Sequence, residues 1–350
     1  MNLPAGAFKH AGGVTSPAFH KIDTARPLLY NGVSNMAHTA RRSVKEDGRM
    51  FDISVGTIIP AREAAEMIPV LEPKGFECFE LDFTSANPAE IDWSALSDSI
   101  DEKRNNAGIS ALGCYANPIL NQKDRDDLAA VIRNAHRFGC GVVSAFAGGD
   151  PEKSVPENIP EFRRVWTPIV QLAEDEGVKI GLEGCGGGWQ RGCKNISFCP
   201  DAWELIFDAI PSPNLGLEWE PCHALEKLAD PILQLRSWAD RVVHVHGKDG
   251  TVAWDVIARH GTDSSEKYCW NRTPGFGDTN WADLFTILML SGFTGACDIE
   301  GYHDPVHLDE AEWSAQLTAL DYLKRCRGGL EWFDGPAYKG YAKRIRKAHV

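Results

Sequence analysis

Four successive apolar, strand-like runs in the second half of the chain end in residues that bind cations or move protons. Residues 178–183 end in Glu183. Residues 215–219 run into Glu218, Glu220, Pro221 and His223. Residues 242–246 carry His244 and His246, followed by Lys248 and Asp249. Residues 296–300 end in Glu300, with His303 and Asp304 just beyond. Taken singly, a glutamate at a strand end or a histidine in an apolar run fits an ordinary solvated or packed role. Four neighbouring strand ends that offer carboxylate, carboxylate, imidazole and carboxylate point instead to one ion, because adjacent strands lie only about 4.8 Å apart. Three carboxylates and a neutral imidazole make a hard, mostly oxygen donor set. It suits Mn²⁺, with Mg²⁺ or Co²⁺ as substitutes and Zn²⁺ less favoured. The predicted ligands are Glu183, Glu220, His246 and Glu300. His244 and His246 share one strand face, being two apart, so the one nearer the strand's C-terminal end is assigned to the ion and His244 lies a layer deeper. Glu220 is preferred to Glu218 on the same ground.

Such convergence requires parallel strands with all their C-terminal ends at one rim. The chain supplies the pattern. Short, mostly apolar strand-like runs at 53–59, 76–83, 109–115, 142–146, 178–183, 215–219, 242–246 and 296–300 alternate with helical spacing at 61–71, 91–107, 126–138, 162–176, 200–209, 231–238, 281–290 and 312–326. Several helices close on glycine, at Gly75, Gly108, Gly139, Gly177 and Gly292, as a left-handed C-terminal cap requires. Eight strand–helix units predict an α/β fold, a (β/α)8 TIM barrel, in which catalytic groups gather at the C-terminal ends of the strands. A doubly wound sheet would call for a glycine-rich phosphate loop after the first strand, and Gly56 to Ile59 does not provide one. Residues 1–50 lack periodicity and read as an N-terminal extension, 51–330 as the barrel, and 331–350 as a C-terminal tail. The insertion between Gly250 and Gly275 is expected to cover the site.

Charge narrows the partners. The chain has 350 residues, with 36 Lys and Arg against 49 Asp and Glu, a formal net charge of −13. That balance argues against nucleic acid or an anionic membrane as the main partner. Apolar runs are too short to cross a bilayer, and residues 1–9 lack the pattern of a secretory signal. Ten scattered cysteines read as reduced thiols in a cytoplasmic protein, not as a disulfide framework. The spacing of Cys185, Cys193 and Cys199 fits no common zinc motif. The chain has 11 tryptophans; Trp189, Trp219 and Trp270 fall in rim segments, where an aromatic face suits a sugar ring.

Glu183, the stretch from Glu220 to His223, the stretch from His244 to Asp249, residues 274–281, and Asp298 to Glu300 together resemble the sugar isomerase/epimerase family. These are the xylose-isomerase-like barrels that include tagatose and psicose 3-epimerases and inosose dehydratase. The resemblance implies that the metal is held by Glu183, Glu220, His246 and Glu300, and that Glu183 and Glu300 also move the proton. It implies substrate contacts at His223 and Arg272; Lys248 and Trp189 are added from their rim positions. The family's second ligand is usually Asp, so the longer Glu220 is a departure.

The expected chemistry is proton abstraction next to a carbonyl through a metal-stabilised enediolate, giving an isomerase or epimerase of a small sugar. A subgroup of the same family implies an alternative: a lyase that cleaves 3-keto-glycosides by β-elimination, as the metal-binding subunit of a deglycosidase complex. The expected assembly is a homo-oligomer, with a small second subunit under the alternative reading. Two other classes rank below these. A three-zinc nuclease on this barrel needs histidines that Leu81 to Phe83, Cys114 to Ala116, and the pair Cys269 and Asn271 do not supply. A scaffold that had lost its chemistry should bind no stoichiometric ion, so metal analysis of the purified protein discriminates it.

Overall fold

The computed structural model describes residues 53–328, apart from Tyr302. The expected extension over 1–50 and the tail over 331–350 lie outside the described residues. Eight parallel strands close into a barrel: β1 (Ser54–Pro60), β2 (Cys78–Asp82), β3 (Gly108–Cys114), β4 (Val142–Ala145), β5 (Lys179–Glu183), β6 (Leu215–Trp219), β7 (Val242–Gly247) and β10 (Ala296–Ile299), with β10 paired to β1. The predicted TIM barrel is the observed fold. β8 (Asp249–Val252) and β9 (Cys269–Arg272) form a separate antiparallel hairpin within the insertion.

The surrounding helices are α1 (Ala64–Leu71), α2 (Trp93–Asp101), α3 (Gln122–Asn134), α4 (Val155–Asp175), α5 (Pro200–Ala209), α6 (Pro221–Glu226), α7 (Pro231–Trp238), α8 (Trp254–His260), α9 (Trp281–Ser291) and α10 (Glu310–Arg327). Each of the larger helices turns an apolar face onto the strands, as Phe162, Trp166 and Ala173 of α4 and Trp281, Leu284 and Leu288 of α9 show by their complete burial. α4 begins seven residues before the position that periodicity predicts. Pro156 and Pro160 read as breakers in sequence, but Ser154 caps the helix in a reciprocal capping box with Glu157, and Pro156 lies in the first turn where no amide is needed. Gly139 and Gly292 take the left-handed conformation at their helix ends, with φ of 63° and 84°. The ten cysteines are free thiols. No described helix is long and apolar enough to cross a membrane.

Register brings acidic groups side by side in the interior. Glu183 on β5 is level with Glu218 on β6, and a shift between Leu217 and Glu218 brings Glu218 level with His244 on β7. His246 is in turn level with Asp298 on β10. The neighbouring strand leaves room for one of these groups. A Cβ on Gly56 of β1 would stand 2.2 Å from the Asp298 Oδ1 atom, so only glycine leaves space for that carboxylate.

Candidate active site

The four predicted ligands converge at the mouth of the barrel, and other groups join them. Glu183, Glu218 and His246 have ligand atoms within 4.8 Å of one another, and so do Glu220, His246 and Glu300. His246 links the two sets. Its Nδ1 lies 3.1 Å from Glu300 Oε2 and 3.4 Å from Glu218 Oε1. Its Nε2 points the other way, 2.9 Å from Glu80 Oε2 and 3.2 Å from the Tyr115 hydroxyl.

Local structure explains the placement. Glu220 is extended, with φ −143° and ψ 145°, because Pro221 opens α6 directly after it. As the residue before the helix it could cap the first turn, yet its side chain makes no such bond. Both carboxylate oxygens are left for the site. His223, on α6, reaches back: its Nε2 ion-pairs with Glu220 and lies 3.4 Å from Glu183 Oε1, while Nδ1 is 3.2 Å from Glu226 Oε2. Lys248 follows β7 and is buried, with Nζ 2.6 Å from Glu300 Oε1 and 3.8 Å from Glu220 Oε1. Below this layer His244 Nε2 sits 2.9 Å from Glu80 Oε2 and 3.2 Å from Asp298 Oδ2.

Two rim residues assigned to substrate also make structural contacts of their own. Trp189 is half-buried and packs against the apolar core, and its carbonyl accepts the Val155 amide at 2.9 Å. Arg272 donates from Nε to Asp304 Oδ2 at 3.1 Å; that oxygen also accepts the Thr273 amide at 2.9 Å, which ties β9 to the loop after β10. Of the other rim tryptophans, Trp219 is buried and donates from Nε1 to Gln234 at 2.9 Å. His303 stands with Nδ1 3.4 Å from Glu300 Oε1. Asp249 has a holding role. Its carboxylate accepts Gly250 N at 2.8 Å, Thr279 N at 3.1 Å and Trp281 Nε1 at 2.8 Å, which folds the 274–281 turn against β8.

Glu80 and Tyr115 escaped the sequence reading. Glu80 sits within β2, not at its end, and the only signal was a carboxylate among the apolar residues Cys78, Phe79 and Leu81. Tyr115 directly follows β3 and donates its hydroxyl proton to Glu80 Oε1 at 2.6 Å. Asp298, a similar buried acid within β10, also holds Ser110 Oγ at 2.5 Å.

Crowding shifts the charge states. Burial raises Glu183 despite the His223 hydrogen bond, and the neighbouring Glu220 and Glu300 charges add to the rise. Burial likewise drives Glu218 well up, despite the nearby imidazole of His246. Burial also opposes ionisation of Glu300, but the Lys248 ammonium and His246 outweigh it and hold Glu300 well below the usual carboxylate range. Lys248 is penalised by burial too, and Glu220 and Glu300 keep it firmly protonated. Burial keeps the Tyr115 phenol protonated far above its ordinary range, with Glu80 adding to the effect.

The donor set fits a cation. Glu80, Glu183, Glu218, Glu220, Asp298 and Glu300 are all buried, against one lysine and three imidazoles. Uncompensated buried charge is costly, and a divalent ion offsets it. Glu218 Oε2, both Glu220 oxygens, His246 Nδ1 and Glu300 Oε2 are buried without a hydrogen-bond partner. Several of them lie within ion-pair reach of a neighbour yet lack hydrogen-bond geometry, so they face a shared space more than one another.

Known proteins place the chain. A protein of Bacillus subtilis, YfiH, of uncharacterised function, is 27% identical over 236 residues, covering 57% of this chain and 72% of that protein. The solved structure of a xylose isomerase domain protein from Alicyclobacillus acidocaldarius superposes with a TM-score of 0.60 at 17% identity, covering 78% of this chain and 98% of that one. The 3-keto-D-glucoside 4-epimerase YcjR of E. coli gives 0.59 at 16% identity, covering 78% of this chain and 100% of its own. At such identities these two structures report the fold. The description "Xylose isomerase-like TIM barrel" matches residues 71–326. With a closed eight-stranded barrel and a match across most of its length, the chain belongs to the xylose isomerase-like TIM barrel family.

Proposed function

We propose that this protein is a divalent-metal-dependent sugar isomerase or epimerase, with the ion held by Glu183, Glu220, His246 and Glu300. The observation that carries the reading is the convergence of these side chains around buried oxygen and nitrogen atoms that have no hydrogen-bond partner. A bound Mn²⁺, or Mg²⁺ or Co²⁺, would supply Lewis acidity to a substrate carbonyl and make the neighbouring C–H acidic.

The chain's own groups do the rest. Glu183 and Glu300 take and return the proton at the carbon beside the carbonyl. Glu300 is set up for this by Lys248, whose ammonium holds Oε1 at 2.6 Å while Oε2 stays without a hydrogen-bond partner. His223, steadied through Nδ1 by Glu226, presents Nε2 toward Glu183 and is placed to orient a substrate hydroxyl. Lys248 also stands ready to hold a substrate oxygen as negative charge develops there. Arg272, fixed by Asp304, lies at the rim with Trp189 as a candidate contact for the far end of the substrate. The E. coli structure with this fold is named for epimerising a 3-keto-glucoside, which supports including keto-glycosides among the trial substrates.

The test incubates the Mn²⁺-loaded protein in deuterated water with free ketoses and, separately, with 3-keto-glycosides, followed by NMR. Deuterium uptake without release of an aglycone is the expected result. Aglycone release would replace it with the β-elimination lyase. A protein that carries Mn²⁺ but exchanges no proton on either substrate class would overturn the proposal.

A further inference from the structure

We propose that Glu80, braced by Tyr115, is a positioning residue for the metal site: it accepts the Nε2 proton of His246 and so leaves Nδ1 unprotonated toward the cation. The inference rests on the reading of His246 as a ligand. It adds a residue pair from the opposite wall of the barrel that acts through the imidazole.

A neutral imidazole carries one proton, and the partner of one nitrogen decides what the other offers. The two nitrogens of His246 face different surroundings. Nδ1 looks toward Glu300 Oε2 at 3.1 Å and Glu218 Oε1 at 3.4 Å, and it has no hydrogen-bond partner. Nε2 meets Glu80 Oε2 at 2.9 Å. Glu80 is held so that it can serve only as an acceptor there. Its Oε1 takes the Tyr115 proton at 2.6 Å, and its Oε2 is also 2.9 Å from His244 Nε2. His244 is anchored in turn by Asp298 Oδ2 at 3.2 Å. The backbone makes space for the pair: a Cβ on Gly113 would fall 2.6 Å from Glu80 Oε1 and 2.7 Å from the Tyr115 ring. A carboxylate fully buried at this depth contributes nothing to binding from solvent. What it does contribute is a fixed ring orientation and a fixed tautomer.

The experiment titrates the full chain with Mn²⁺, read by electron paramagnetic resonance, for wild type, Glu80→Gln, Tyr115→Phe and His246→Ala, with circular dichroism as the fold control. Glu80→Gln is expected to weaken Mn²⁺ binding about 10–100-fold, as loss of an outer partner of a ligating histidine does. Tyr115→Phe removes one hydrogen bond and keeps Glu80, so about two- to ten-fold weaker binding is expected. ¹⁵N NMR of histidine-labelled protein supplies a readout that a merely structural role would not move. The His246 proton is expected on Nε2 in wild type and redistributed in Glu80→Gln. If Glu80→Gln does not fold, Tyr115→Phe carries the test alone. Wild-type affinity in the folded variants, with binding lost in His246→Ala, overturns the positioning role and leaves the proposed function standing. A wild-type chain that binds no Mn²⁺, or a His246→Ala variant that binds it normally, overturns both.

Discussion

Glu300 combines features that no other acid in the barrel shares. One oxygen is clamped by Lys248 at 2.6 Å, and the other faces His246 Nδ1 at 3.1 Å. Replacing it by Gln keeps the shape but removes the charge that both neighbours answer. Glu300→Gln is expected to lower turnover by at least about 10²-fold, the scale of a lost acid–base group, while the circular dichroism spectrum stays that of wild type. Turnover within a factor of two of wild type would remove Glu300 from the proton-moving pair. Glu220 carries a related lesson at this scale. It is one carbon longer than the aspartate that the family resemblance implies for its place. Its extended backbone before Pro221 and its ion pair with His223 bring the longer arm back toward the cluster.

At the scale of elements, the barrel is closed by a helix as well as by strand pairing. Arg327, the last residue of α10, donates from Nη1 and Nη2 to Glu77 just before β2, with Nη2 to Oε1 at 3.0 Å, and from Nη1 to the Ile53 carbonyl at 2.7 Å. Glu77 also accepts the Val55 amide at 2.8 Å, so one carboxylate joins α10, β1 and β2. Burial acts against the Glu77 charge, but Arg327 outweighs it and holds the carboxyl below its usual range. A depressed carboxylate stabilises the fold fully above its unfolded pKa, about 4.3, and loses that contribution as pH falls through the folded value. Glu77→Ala is therefore expected to cost about 3–5 kcal/mol near neutral pH, because it strands a buried guanidinium. Denaturant melts should show the gap to wild type narrowing as pH drops below about 4. A gap independent of pH would show that packing, not the ion pair, accounts for the loss.

At the scale of the whole molecule, the interior holds more buried carboxylates than the cations of the chain balance, in a protein whose net charge is already −13. A divalent ion bound at the proposed site would therefore stabilise the fold as well. A ligand present at about 100 times its dissociation constant adds about 2.7 kcal/mol. For a chain of this size, removal by EDTA is expected to lower Tm by roughly 4–5 °C, with Mn²⁺ restoring it. A Tm that does not move after elemental analysis has shown the protein stripped of metal would count against a cation at the barrel mouth.

The sequence alone was enough for the barrel, because its signals are local. Short apolar runs for the strands, helical spacing between them and glycine after several helices are signals written within the units. It was also enough to nominate Glu183, Glu220, His246 and Glu300, since parallel strands deliver every C-terminal end to one rim. What required the tertiary structure was the depth and direction of each side chain. Glu80 and His246 are 166 positions apart and meet only because closure brings β2 across from β7. Glu218 enters the cluster through a register shift that its own residues do not announce. Arg272 is committed to Asp304, and Trp189 to the core, by loop packing far from their neighbours in sequence. Periodicity reports which face of an element is buried. Which buried groups touch is decided by strand stagger and barrel closure, and these are properties of the whole sheet.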